Sequence, residues 1–355
     1  QLLNFNISFL GLDHMINNIK NFFRFSLLFL ALAFCYNSNA QIPQFYYDTA
    51  EGLHTANLKT ALHQIICNDT SNYLNYGSGA GRTWQGFYYT DRDYTNDSVL
   101  DMYSYIARYF PNPNPNFASF GQDVHIEHSV PKSWWKGTEG APYKDLHHLF
   151  PSDGPTNNAK SNYPLGIPTG TVFFDNSRSK VGNATYTTYS GRVFEPHDEF
   201  KGDFARAYFY FVTAYENYSS VFTNQMFENN TYPILSDWAI NLLLDWHRND
   251  PISQKEIDRN EIVFSFQNNR NPFIDYPILV EHIWGNRKNI PFFANNIPNI
   301  EVINHSLNSN VILNLTTTNF FPVSKTITIK GENLIGNINL SINGTNASQF
   351  SVSET

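Results

Sequence analysis

The sequence predicts an α+β fold: a mostly helical domain around a short strand–loop–strand–helix unit, followed by the start of a β-sandwich-like module. Three observations lead there. Apolar residues recur at helical spacing in separate stretches of the middle of the chain. Two short extendable stretches, at 123–131 and 146–150, flank a loop and are followed by a proline placed to open a helix. Beyond residue 296 the pattern changes to short alternating runs, and all six tryptophans lie before that point.

Taken in order, residues 1–14 precede the first methionine, Met15, and read as an upstream, non-native segment. From Met15, Lys20 and Arg24 lead into the apolar run Phe25 to Phe34, and Ser38-Asn39-Ala40 offers small residues for cleavage. That is the pattern of a secretory signal peptide over 15–40. Ten apolar residues are too few to cross ~30 Å of hydrocarbon, so no membrane span is expected in the mature chain. Removing the leader leaves one cysteine, Cys67, which can make no internal disulfide and is expected to be a buried small residue at a helix end.

The main domain is expected over 41–295. Leu58, Leu62, Ile65 and Ile66 predict an amphipathic helix over 55–67. A second is expected over 204–218, with Ala205, Tyr208, Phe209 and Val212 available for one face. Trp238, Leu242 and Trp246 mark a third, ended by Asn249-Asp250-Pro251. Ser253 and Glu256 have the spacing of a capping box and start a fourth. Gly77-Ser78-Gly79-Ala80-Gly81-Arg82 lacks the Gly-Lys-Ser/Thr ending of a phosphate loop and is read as a flexible turn. Pro111, Pro113 and Pro115 predict a stiff, exposed linker. Over 296–355, alternating stretches such as 311–315 and 326–330, with turn residues at 331–333 and 343–345, suggest an incomplete β-rich, immunoglobulin-like accessory module.

Composition limits the chemistry. The chain is 41% hydrophobic and 15% charged, which excludes a disordered or fibrous protein. Its formal charge of −8 excludes a globally basic surface for gripping nucleic acid. Between residues 128 and 192, however, Lys and Arg outnumber Asp and Glu by seven to four, a local sign that suits a phosphate backbone.

Four of the eleven histidines fall at 125, 128, 147 and 148. The order His125-Ile126-Glu127-His128 does not fit a zincin, a zinc deaminase would need Cys-x-x-Cys, and no Gly-x-Ser-x-Gly elbow exists. What remains is a hard-cation site with a nearby imidazole. Glu127 offers a carboxylate and Asn157 or Asn158 an amide oxygen; such ligands suit Mg²⁺ or Ca²⁺. His128 is then the candidate general base for metal-assisted attack of water on a phosphodiester. In a regular strand Glu127 and His128 point to opposite faces, so both serve one site only if the strand ends there.

The runs Glu127-His128-Ser129-Val130-Pro131, Asp145-Leu146-His147-His148-Leu149-Phe150-Pro151 and 157–162 resemble the secreted endonuclease I family. Gly202-Asp203-Phe204-Ala205-Arg206-Ala207 and the segment 267–274 are also similar to family segments, so the resemblance spans roughly residues 50–285. It implies a ββα-metal (His-Me finger) core and non-specific cleavage of DNA, often RNA too, to 5′-phosphate ends. It further implies His128 as general base and Glu127 and Asn157 as metal ligands, with Mg²⁺ expected and Ca²⁺ or Mn²⁺ as alternatives. Lys132, Lys144, His147, Lys160, Asn162 and Arg206 are candidate phosphate or supporting contacts. Some members carry an arginine between the two strands; residues 129–144 contain none, leaving lysines as the available cations. The expectation is an exported monomeric nuclease that contacts nucleic acid through its backbone. The alternatives are an inactive surface nucleic-acid-binding protein and a phosphomonoesterase.

Overall fold

The four predicted helices form, and the one expected over 204–218 lies at 201–214 and is more deeply buried than its sequence pattern implies. The computed structural model describes residues 42–68, 71–117, 122–137 and 139–294, with the backbone of 299–302 and 329–332. The expected leader lies outside the described residues, as does most of the expected C-terminal module.

Helix α1 (Thr55–Ile66) buries Leu58, Leu62 and Ile66, and Cys67 caps it, its half-buried thiol donating to the Ala214 carbonyl at 3.0 Å. The 77–82 segment is a turn: Gly77, Gly79 and Gly81 all have positive φ (105°, 121° and 71°), conformations that side-chain-bearing residues avoid. It leads into α2 (Thr83–Thr90), which the sequence reading did not identify, and then the short pair β1 (Arg92–Asp93) and β2 (Ser98–Val99). The proline linker is less exposed than expected: Pro111 and Pro113 are half-buried and Pro115 is buried, as are Phe110 and Phe117 at the two ends of the segment.

The central unit follows. Strand β3 (Val124–His128) pairs antiparallel with β4 (Leu149–Asp153), Glu127 facing Phe150 and His128 facing Leu149, and β4 runs directly into α3 (Gly154–Lys160). The second strand starts three residues later than the 146–150 expected, because Asp145 gathers the preceding turn around its carboxylate. Pro151 sits inside β4 without penalty, since a two-stranded sheet leaves each strand one open edge. A three-stranded antiparallel sheet, β5 (Val172–Asp175), β6 (Ser179–Thr185) and β7 (Ser190–Pro196), follows.

Helix α4 (Lys201–Ala214) is the hub. Every residue from Gly202 to Ala214 is buried, so the one-faced packing expected from its apolar residues is replaced by burial around the whole circumference. It ends at Ala214, ahead of the expected 218, and a 3-10 helix over Glu216–Val221 follows. Helices α5 (Asp237–Asn249) and α6 (Gln254–Gln267) match expectation, and the Ser253–Glu256 capping box is complete. The short helices α7 (Pro272–Asp275) and α8 (Leu279–Ile283) close the domain. Beyond residue 298, β8 (Asn299–Val302) pairs antiparallel with β9 (Ile329–Glu332). Gly331 and Glu332, expected in a turn, therefore lie in a strand, held by pairing with Ile300 and Asn299.

The buried histidines set an acid limit. Burial first of all pushes His147, His148 and His247 each down to about 4, against about 6.5 in an unfolded chain. The unfolded chain therefore takes up protons that the folded one refuses, so stability is complete above pH ~6.5 and is lost as pH falls toward 4. Each ring costs on the order of 1–2 kcal/mol by pH 5. Thermal melts should show a clear fall in Tm between pH 7 and pH 5; a flat profile would contradict neutral burial of these rings.

Candidate active site

Strand β3 ends at His128, so the geometric condition set by the sequence is met: Glu127 and His128 are its last two residues. The His128 ring is nine-tenths buried against a pair of mutually packed tyrosines, Tyr76 (5.5 Å between ring centroids) and Tyr143 (5.1 Å), whose own centroids are 4.4 Å apart, with Trp135 and His148 beside it at 5.8 Å. Its Nε2 donates to the Tyr143 carbonyl at 3.2 Å. A carbonyl can only accept, so the neutral ring carries its proton on Nε2 and its lone pair on Nδ1. His148 Nε2 holds the adjacent Pro142 carbonyl at 2.5 Å, so two imidazoles anchor consecutive peptides of one loop. Burial, then the neighbouring His148, pushes the His128 pKa down to about 3. An anionic phosphate beside the ring acts in the opposite direction, favouring the protonated form as a proton is received.

Glu127 is also buried. Its Oε1 pairs with Lys160 Nζ at 2.6 Å and accepts from the Tyr103 hydroxyl at 3.2 Å. Burial, the Tyr143 hydroxyl and the Glu127 charge all raise the Tyr76 phenol, so this ring lies within the electrostatic reach of Glu127 while stacking on His128. Both predicted groups thus share one surrounding shell.

Asn157 comes from α3. Asp153 caps that helix, accepting from the Thr156 N–H at 2.7 Å and its hydroxyl at 2.5 Å, and Pro155 sits in the first turn as expected. Asp153 is itself paired with Arg108, and its N–H donates to Asp101 at 3.1 Å. Asn157 Nδ2 lies 3.5 Å from His125 Nδ1, and His125 Nε2 lies 2.9 Å from Asp123 Oδ1. This line Asp123–His125–Asn157 spends the amide nitrogen and leaves Oδ1 as the donor for a cation. His125 and Glu127, two apart on a strand, lie on the same face of β3.

The remaining predicted residues divide into rim and core. Lys132 is exposed, its Nζ 6.0 Å from the centre of the Tyr143 ring, and Lys144 donates to Asn75 Oδ1 at 3.3 Å. Asn162 is exposed, with its carbonyl accepting from Trp134 Nε1. Lys160 is wholly buried against Glu127. His147 is buried and donates to the Asn269 carbonyl at 3.2 Å, packing on Tyr210. Arg206 is not brought to the site's surface: it is 1% exposed and bound bidentately to Glu256 (2.5 and 2.9 Å) and to the Asp250 carbonyl.

Sequence reasoning missed Tyr103, the Tyr143 carbonyl, and the Asp101–Arg108–Asp153 group. Asp153 had a readable signal, an acidic residue before Gly-Pro-Thr at a helix start. A carbonyl acceptor has none, because every residue carries one.

The donor set fits a hard cation: a carboxylate oxygen from Glu127 and an amide oxygen from Asn157. Among the described residues no group of three or more His, Cys, Asp or Glu side chains could hold a metal. A cation held by these two groups would have to keep several waters, as Mg²⁺ characteristically does.

Residues 54–278 match the family model for Endonuclease I. The chain belongs to the endonuclease I family. This family member is 36% identical over 245 residues to the extracellular ribonuclease of Bacillus amyloliquefaciens, covering 67% of this chain and 78% of that one. The corresponding figures for the extracellular ribonuclease of Bacillus subtilis (strain 168) are 35%, 67% and 78%. Endonuclease-1 of Buchnera aphidicola is 26% identical over 169 residues, covering 42% of this chain and 59% of its own length. The family match spans β3, β4 and α3, the three elements that carry Glu127, His128 and Asn157.

Proposed function

We propose that this chain is a secreted, metal-dependent endonuclease of low sequence specificity, acting as a monomer on DNA and on RNA and leaving 5′-phosphate ends. The observation that carries the reading is the His128 Nε2 contact to the Tyr143 carbonyl, which presents the Nδ1 lone pair at the end of the strand bearing Glu127. The names of the relatives, extracellular ribonuclease and Endonuclease-1, support both the nuclease chemistry and the export. Among the described residues no helix is long and apolar enough to cross a membrane.

In the reaction, water oxygen attacks phosphorus, the bond to the 3′ oxygen breaks, and that oxygen takes up a proton. His128 Nδ1 receives the proton of the attacking water. Glu127 and Asn157 would hold Mg²⁺, with Ca²⁺ or Mn²⁺ as alternatives, and the bound cation supplies charge neutralisation at the phosphate. Lys160 and Tyr103 hold the Glu127 carboxylate in place, and the Asp123–His125 pair orients the Asn157 amide. Lys132, Lys144 and Asn162 line the rim as contacts for flanking phosphates, while His147 and Arg206 support the core. Point-charge contacts of this kind read the backbone and not the bases. The two-stranded pair with its helix is then the ββα-metal core of the family.

The test is incubation of plasmid DNA and of single-stranded RNA with the purified protein and Mg²⁺. Both should be degraded, excess EDTA should stop the reaction, and the new ends should accept a kinase label only after phosphatase treatment. Intact polymers in Mg²⁺, Ca²⁺ and Mn²⁺ alike would overturn the assignment.

A further inference from the structure

A cavity of about 250 Å³ lies beside the segment that carries Tyr103, lined among others by Met102, Tyr105, Ile106, Arg178, Phe200 and Lys255. Its size is just below that of ordinary small-molecule pockets and suits one planar heterocycle. Tyr105 and Ile106 at its mouth are 60% and 57% exposed. The Arg178 guanidinium lies 4.3 Å from the centre of the Tyr105 ring and 4.5 Å from that of Phe200, so it is sandwiched between them. Lys255 Nζ lies 4.9 Å from the Phe200 ring. The exposed Tyr105 ring, backed by this cation and met by the His197 ring at 6.0 Å and 76°, is already ordered, so a second ring stacking on its exposed surface costs little entropy.

Charge selects the occupant. Arg178 is matched by Glu199 at 2.9 Å and Lys255 by Asp203 at 3.0 Å, so the walls favour an uncharged aromatic group over a phosphate. The place is also close to the cleavage machinery. Tyr103, between the cavity residues Met102 and Ser104, touches Glu127, and Asn176, two residues before Arg178, donates to both the Tyr103 carbonyl and Thr156 beside Asn157.

Resting on the nuclease reading, we propose that Tyr105 and this cavity bind an unpaired nucleobase of the substrate strand flanking the scissile phosphate, so that single-stranded nucleic acid is bound better than duplex. A paired base keeps its faces inside the helix stack and cannot reach such a ring.

The experiment is fluorescence anisotropy with a short fluorescein-labelled oligonucleotide, single-stranded and as a duplex, in chelator so that nothing is cut. Tyr105→Ala should weaken single-strand binding about tenfold and leave duplex binding unchanged, and Tyr105→Phe should retain wild-type affinity. In divalent cation, wild type and Tyr105→Ala should hydrolyse bis(p-nitrophenyl) phosphate at the same rate, since that diester has no flanking base. Equal single-strand affinity for Tyr105→Ala and wild type, or an equal loss on duplex, would overturn the base site. If the wild type cuts the diester while Tyr105→Ala binds normally, the base site falls alone. If binding depends on Tyr105 but no divalent cation supports hydrolysis, the nuclease reading falls and the base site stands.

Discussion

Replacing His128 with alanine is expected to lower phosphodiester hydrolysis by about 10²–10⁴-fold, the usual contribution of a positioned general base. The loss follows from geometry: with Nε2 committed to the Tyr143 carbonyl, Nδ1 is the ring's free lone pair. The ring also packs against Tyr76, Tyr143 and Trp135, so removing it creates a void and lowers stability. A thermal melt of the variant, run at the assay temperature range, separates the two effects. Added imidazole should restore part of the activity of a folded His128→Ala protein, because the vacated space admits a free ring. A folded variant that retains wild-type rates would remove His128 from the mechanism. On the proposed reading, Glu127→Gln should produce a loss of similar size accompanied by a higher Mg²⁺ requirement, since the substitution keeps the shape and removes the charge that pairs with Lys160 and would hold the cation.

Arg206→Ala is expected to destabilise the protein by about 3–5 kcal/mol, the cost of leaving a buried charge without its partner. Glu256, 4% exposed, would lose both of its guanidinium contacts, and the Asp250 carbonyl a donor. For a domain of this size that corresponds to a fall in Tm of roughly 10 °C. The same variant should leave the salt dependence of nucleic-acid binding unaltered, because a phosphate contact would change its slope. A variant that melts like the wild type but loses salt-dependent affinity would place Arg206 at the phosphate and refute its core role. Gly202 belongs to the same feature, for its N–H donates to Asp250 at 2.8 Å and the backbone there approaches Asp250 and Arg206 closely.

Local regularities were legible and long-range ones were not. The spacing of Leu58, Leu62 and Ile66, the Ser253–Glu256 box and Pro155 each act within a few residues, and the corresponding helices start or run where expected. The shift of β4 to 149–153 arises from Asp145, whose partners Tyr210, Tyr215 and Gln267 lie 65 to 122 residues away. Arg206 shows the same limit from the functional side. Its position in a motif marked it for a role, but only the packing of α4 against α5 and α6 shows that its guanidinium faces Glu256.

By itself the sequence determined the chemistry on offer: a carboxylate and an imidazole adjacent in one strand, an amide at a helix start, and neither a Cys-x-x-Cys nor a Gly-x-Ser-x-Gly motif. It also determined the family, through residue types whose order survives without knowledge of their contacts. The tertiary structure decided which nitrogen of His128 is free, which atom of the Asn157 amide meets His125, and which cations are spent on internal carboxylates. The reason is physical: residue type sets what a group can donate or accept, whereas its proton, orientation and charge balance depend on partners brought close only by folding.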